Sequence, residues 1–205
     1  MVVLCSPNNP TGRVISRELL QDILRAADAH GAYVVLDECF INLTEFESSA
    51  GLIQDFDNLI VVKALTKSHA MAGFRVGYCL CGDAELLGSL SFNGAPWAVS
   101  SPAQVAGIAA LGVPDYLELT REYVATERAR LEEGLCECGM TVVPSHANFI
   151  LFQSPVPLYD ALLDRGYVIR RCGNFRGLDN SWYRIAVRTT VQNKGFLAAL
   201  REVTE

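Results

Sequence analysis

Three short aliphatic runs constrain this chain more than any other feature: Val-Val-Leu-Cys at positions 2–5, Tyr-Val-Val-Leu at 33–36 and Leu-Ile-Val-Val at 59–62. None alternates with polar residues, as a strand with one wet face would. Each reads as a strand buried on both faces, the habit of a parallel sheet. Between the first two runs lies a helical pattern. Ser16 stands at its N-cap, Leu19, Leu20, Ile23, Leu24 and Ala27 fall on one face, and Gly31 follows where a C-terminal glycine belongs. A further short helix is expected before the third run, and residues 76–81 make a fourth strand. Strand and helix therefore alternate, which predicts an α/β layer architecture.

From about residue 84 the texture changes. Helical patterns occupy residues 84–90, 102–111 and 116–135, the last ending near Gly139. Short strands are expected at residues 141–143, 148–152, 167–170 and 182–187, with helices at 158–165 and 191–203. Mixed elements of this kind predict a second, α+β domain. The expected organisation is a large domain over residues 1–113 and a C-terminal small domain over 114–205.

Composition narrows the function. Half of the 205 residues are apolar and the net charge is −6, with a mean hydropathy of +0.21. A disordered chain or a phosphate-neutralising nucleic-acid binder would show the opposite balance. Small metabolites or a protein partner are the better expectation. No apolar run approaches the ~18 residues of a membrane span, and the N-terminus has no basic export signal, so a cytoplasmic protein without a membrane partner is expected. The seven cysteines are an odd number spread through apolar segments. Reduced core thiols explain them better than metal, because Cys79/Cys81 and Cys136/Cys138 lack ligand spacing. His30 and His146 likewise show no metal spacing, and no metal is expected.

In open α/β sheets ligands gather at the carboxyl ends of the strands. Asn9 follows the first strand, Asp37-Glu38 the second and Thr66-Lys67 the third, while Arg75 comes just before the fourth. Taken singly, each has an ordinary explanation as a turn, a cap or a solvated charge. Together they supply a cation for a phosphate, a carboxylate for a ring nitrogen and an amine for an aldehyde.

The segments Ser6-Pro7-Asn8-Asn9-Pro10-Thr11-Gly12, Leu36-Asp37-Glu38 and residues 66–78, in that order, resemble the successive signatures of the class I/II pyridoxal-phosphate-dependent aminotransferase family. The likeness continues through Pro96-Trp97-Ala98-Val99, Ala147-Asn148-Phe149 and residues 183–188, and so covers essentially the whole chain. The resemblance implies fold type I: a partial PLP-binding large domain lacking the family's N-terminal part, plus the α+β small domain. It implies pyridoxal 5'-phosphate as cofactor. Lys67 would carry it covalently and later shuttle the proton. Asp37 would hold the pyridine nitrogen, Asn9 the ring's 3-oxygen, and Thr66 and Arg75 the phosphate. Arg184 would grip the substrate carboxylate.

Two positions depart from the family pattern. Phe40 stands where many relatives have a tyrosine, and Ala64 where a hydroxyl often meets the phosphate. Residues 171–178 and 187–189 and Phe40 resemble the branch that decarboxylates O-phospho-L-threonine to aminopropanol phosphate in cobalamin biosynthesis. Transamination of histidinol phosphate is the alternative, and an inactive fragment or pseudoenzyme is the alternative of another class. The expected partners are a small phosphorylated amino acid or amine and, when complete, a second copy in a homodimer. Arg188, four residues beyond Arg184, is expected on the same strand face. Trp97 is expected to pack, and His69 to lie beside Lys67 without a catalytic duty. The isolated chain is expected to associate.

Overall fold

A computed structural model describes residues 1–113 and 115–204. Pro114, where the sequence sets the domain boundary, lies outside the described residues. By contacts the chain divides into two units. The first comprises Met1–Pro7 and Val14–Leu119; the second comprises Asn8–Arg13 and Thr120–Glu205.

The first unit is built on strands β1 (Val2–Cys5), β2 (Val34–Asp37), β3 (Leu59–Ala64) and β4 (Gly77–Cys81), which lie in that order. The first three are parallel, and β4 runs antiparallel to β3. Helix α1 (Arg17–Asp28) starts as expected, with the Ser16 hydroxyl accepting from the Leu19 amide at 3.2 Å. Gly31, at φ +61°, takes the left-handed turn after it. Leu20, Leu24 and Ala27 bury against Val34, Leu36, Leu59 and Val61, each large side chain contributing about 1.5–3 kcal/mol. Leu19, assigned to the same face by the sequence, is 52% exposed.

Two expectations change here. The segment between β2 and β3, where one short helix is expected, forms two 3₁₀ helices, Ile41–Leu43 and Ser49–Gln54. The apolar strands are also not buried on both faces: β2 and β3 are fully buried on one face only, and β1 has no fully buried residue. Register puts Val35, Asp37, Ile60 and Val62 on the opposite face, and all four are half-buried. Beyond the sheet come α2 (Leu65–Ser68), α3 (Ala84–Asn93) and α4 (Ser101–Leu111). No residue of α3 is buried, and α4 buries only Ala103 and Gly107. Trp97, expected to pack, is 95% exposed.

In the second unit, helix α5 (Tyr116–Glu137), of which residues 120–137 belong here, leads into β5 (Thr141–Val143), β6 (Phe149–Gln153), α6 (Tyr159–Leu163), β7 (Arg170–Arg171), β8 (Trp182–Ala186) and α7 (Thr190–Thr204). The sheet order is β5-β6-β8-β7 and every pairing is antiparallel. Its core gathers Leu131 and Leu135 of α5, Ile150 and Phe152 of β6, Tyr183 and Ile185 of β8, and Phe196 and Leu200 of α7. The expected strand at residues 167–170 shrinks to the two residues of β7. Arg188 lies beyond β8, where the Asn193 side chain both accepts from its amide at 3.0 Å and donates to its carbonyl at 2.9 Å. Strand alternation therefore does not place it beside Arg184.

The loop Asn8–Arg13 joins this second unit. The His146 amide donates to the Gly12 carbonyl at 2.9 Å. Gly12 has φ +71°, and a Cβ there would fall 1.9 Å from the Ser145 hydroxyl, so only glycine fits. Among the described residues no helix is long and apolar enough to cross a membrane and no cluster could hold a metal ion; all seven cysteines are free.

Candidate active site

The first unit lines up four of the candidate residues along one rim. Asp37 closes β2. Thr66 and Lys67 sit in α2, which begins directly where β3 ends. Arg75 reaches the same rim because β4 is antiparallel: Gly77 pairs with Ala64, and the Leu65 amide donates to the Val76 carbonyl at 3.2 Å. The approach is tight, since a Cβ on Gly77 would stand 2.6 Å from the Lys63 carbonyl oxygen. The reversal of β4 thus sets Arg75 beside the carboxyl end of β3, which the sequence pattern does not reveal.

Asp37 is held on both sides. Its carboxylate accepts from the Cys39 amide at 2.9 Å, and its carbonyl accepts from the Ser6 amide at 3.0 Å. Burial, with the Asp37 carboxylate acting in the same direction, pushes the Cys39 thiol up to about 12, while Lys67 pulls weakly against it. The thiol is therefore protonated and inert at neutral pH. Asp37 lies on the less covered face of the sheet, and its neighbour Glu38 turns to the buried side.

Lys67 is exposed, Thr66 half-buried. His69 is the C-cap of α2. Its Nδ1 pairs with the Ser68 hydroxyl at 2.9 Å, its ring stacks on Tyr116 at 5.4 Å, and burial lowers its pKa. Ala64 occupies the N-cap of α2 with no side-chain hydrogen bond, so the departure noted in the sequence leaves a helix start without its usual hydroxyl. Arg75 sits in the left-handed region at φ +55°, and its guanidinium donates to the Ala72 carbonyl at 3.2 Å.

The second unit brings together the other two candidates. Arg184, in the middle of β8, donates to the carboxamide oxygen of Asn9 and stands 5.2 Å from the centre of the Phe149 ring. Its pKa is lowered chiefly by burial, with Cys172 opposing and Arg170 adding to the effect. Arg170 is its direct cross-strand partner. The Arg170 guanidinium itself donates to the Asn174 carboxamide oxygen at 3.0 Å and stands 5.9 Å from the centre of the Phe175 ring. Arg170 is absent from the sequence-based candidates. The only signal for it is the Arg-Arg doublet, and a two-residue strand is too short for periodicity to register.

This ordered set matches a known family. The model for aminotransferase class I and II covers residues 1–200. The chain belongs to that family. Its members depend on pyridoxal phosphate. Histidinol-phosphate aminotransferase 2 of Archaeoglobus fulgidus is 37% identical over 99% of this chain and 58% of its own length. Threonine-phosphate decarboxylase of Salmonella typhimurium is 35% identical over 98% of the chain and 56% of its own. The crystal structure of a histidinol-phosphate aminotransferase from Clostridium acetobutylicum superposes with a TM-score of 0.95 at 34% identity, covering 99% of this chain and 63% of that one. The chain therefore spans less than two thirds of each of these proteins, and fold type I is the architecture it shares with them.

Proposed function

We propose that this chain carries the cofactor- and substrate-holding residues of a pyridoxal-phosphate enzyme acting on a small phosphorylated amino acid or amine. The observation that supports it most is the rim of the first unit, where a carboxylate closes β2, an amine follows β3 and a guanidinium immediately precedes the antiparallel β4. The donor set fits the cofactor: Asp37 for the ring nitrogen, Lys67 for the aldehyde, Thr66 and Arg75 for the phosphate. Besides Lys67 the sequence holds only Lys63 and Lys194; Lys63 is buried against Glu38 and Lys194 is exposed on α7.

When bound, the cofactor supplies an aldehyde that takes up amines and a ring that withdraws electrons from the bond being broken. Lys67 would anchor it, and the same amine would hold the proton delivered to the substrate's α-carbon. Asp37 would hold the ring nitrogen as the acidic partner of its proton. Asn9, whose carboxamide oxygen accepts from Arg184, would serve the ring's 3-oxygen through its Nδ2. Arg184 binds the substrate's carboxylate, and Arg170 beside it extends the grip to a phosphate. A homodimer belongs to the same reading, in keeping with a generally dimeric family.

Decarboxylation of O-phospho-L-threonine is the reaction proposed, on the likeness of residues 171–178 and Phe40 to that branch. Transamination of histidinol phosphate is the second reading, favoured by the Archaeoglobus relative. Phosphothreonine offered without any keto acid separates them. Release of CO2 is expected, and activity that appears only with histidinol phosphate and 2-oxoglutarate overturns the decarboxylase assignment.

A further inference from the structure

Beneath the rim lies an ion pair that none of the assigned roles uses. Glu38 is 2% exposed and Lys63 is 7% exposed. The Lys63 ammonium lies 3.3 Å from the Glu38 carboxylate and donates to the Asn42 carboxamide oxygen at 3.3 Å. Glu38 also accepts from the Ser48 hydroxyl and, at 2.7 Å, from the Ser49 amide. Every partner in this network belongs to the first unit.

Two buried charges cost desolvation that an apolar pair of similar volume would avoid. Leu59 and Val61, on the same face of β3, show that apolar residues fill such positions here. What distinguishes position 63 is its place in the chain. Glu38 follows Asp37 directly. Lys63 precedes Lys67 by four residues, at the end of the strand that hands over to α2. The Glu38 amide also donates to the Val62 carbonyl at 2.9 Å, so backbone and side chains tie the same two segments together. Because neighbouring strand residues point to opposite faces, Glu38 can be clamped inside while Asp37 stays on the accessible face.

We infer that Glu38 and Lys63 are positioning residues: their buried pair fixes the carboxyl ends of β2 and β3 to each other and so sets Asp37 against Lys67. Lys63 is thereby also removed from competition as an amine for the cofactor. This inference rests on the pyridoxal-phosphate reading, and its test separates the two.

Pyridoxal phosphate is added to the whole chain, the adduct is trapped with borohydride, and the modified lysines are identified by peptide mass. Lys194 serves as an internal control because it is exposed in the other unit. Wild type should be modified at Lys67 well ahead of Lys194. Lys63→Met should lower the Lys67-to-Lys194 ratio by about tenfold, since small misplacements of reacting groups carry large rate costs. Lys63→Arg, which keeps the charge, should hold it within about twofold. The comparison is made well below the melting temperature of each variant. Should Lys63→Met fail to fold, the double variant Glu38→Gln with Lys63→Met, which leaves no unpaired charge, takes its place with a loss in the same direction. A wild-type chain without preference for Lys67 overturns the cofactor reading and this inference with it. A preference in wild type that the variants leave unchanged overturns the inference alone.

Discussion

The two units handle backbone strain in opposite ways. Among the described residues, every non-glycine residue at positive φ, namely Ala70, Arg75 and Trp97, belongs to the first unit. In the second unit the positive-φ positions are all glycines: Gly12, Gly139, Gly166 and Gly177. A side chain in the left-handed region costs about 1–2 kcal/mol. The second unit therefore reaches its turns without strain, whereas the first accepts it at Trp97 and, twice, in the segment that leads from Lys67 to Arg75. Strain that persists in a folded protein is a pointer to function. Here it coincides with the proposed phosphate ligand, whose guanidinium is aimed by a backbone that glycine would adopt more readily.

Three substitutions probe that contrast. The largest effect is expected where the relaxed unit would be made to clash. Gly12→Ala combines a left-handed alanine with a collision at Ser145, and a loss of about 2–4 kcal/mol is expected by denaturant titration. A loss below 0.5 kcal/mol would show that the Asn8–Arg13 loop can move aside.

A smaller effect concerns Glu127, buried in the second unit. Burial pushes its carboxyl pKa up, but hydrogen bonds from Asn193, Thr190 and Arg130 outweigh this and hold it below the usual value. A group whose pKa is depressed by folding stabilises the fold above its unfolded pKa, and that contribution is lost as pH falls through the folded value. Melting temperature should therefore drop in acid more steeply for wild type than for Glu127→Gln. Parallel curves below pH 4.5 would remove Glu127 as the cause.

The smallest effect is the most telling for the strained unit. Ala70, at φ +54°, pays for its conformation without supplying a side chain to the proposed chemistry. Ala70→Gly should raise stability by up to about 1 kcal/mol, the relief of strain being partly offset by the greater freedom of glycine when unfolded. A destabilised variant would mean that the alanine methyl group packs to advantage.

Much of the first unit was legible in the sequence because its chemistry sits at strand ends. A run of aliphatic residues followed at once by Asp37, or within four residues by Thr66-Lys67, marks both the strand and its exit. The direction of β4 was not legible, since an apolar strand reads alike in either sense, and so the rim position of Arg75 followed from the family likeness rather than from the pattern. In the second unit Arg184 alternates with buried Tyr183 and Ile185 and could be placed on a strand face. Arg170 could not, and Arg188 was misplaced because β8 ends two residues before it. The attachment of the Asn8–Arg13 loop to the second unit rests on a contact with Ser145, far along the chain, which local pattern cannot carry. The faces of α3 and α4 were equally opaque: their apolar residues suggest burial, yet most stand exposed.

The reversal of β4 also bears on how the rim assembles during folding. Parallel neighbours β1, β2 and β3 must be joined by crossovers spanning residues 6–33 and 38–58, whereas β3 and β4 close over residues 65–76 alone. Short connections lose less entropy on closure and favour fast, local formation. Lys67 and Arg75 lie within that shortest connection, so the amine and the guanidinium can meet early, as neighbours in a hairpin-like arm. Asp37 joins them only when the distant strand pairing is complete.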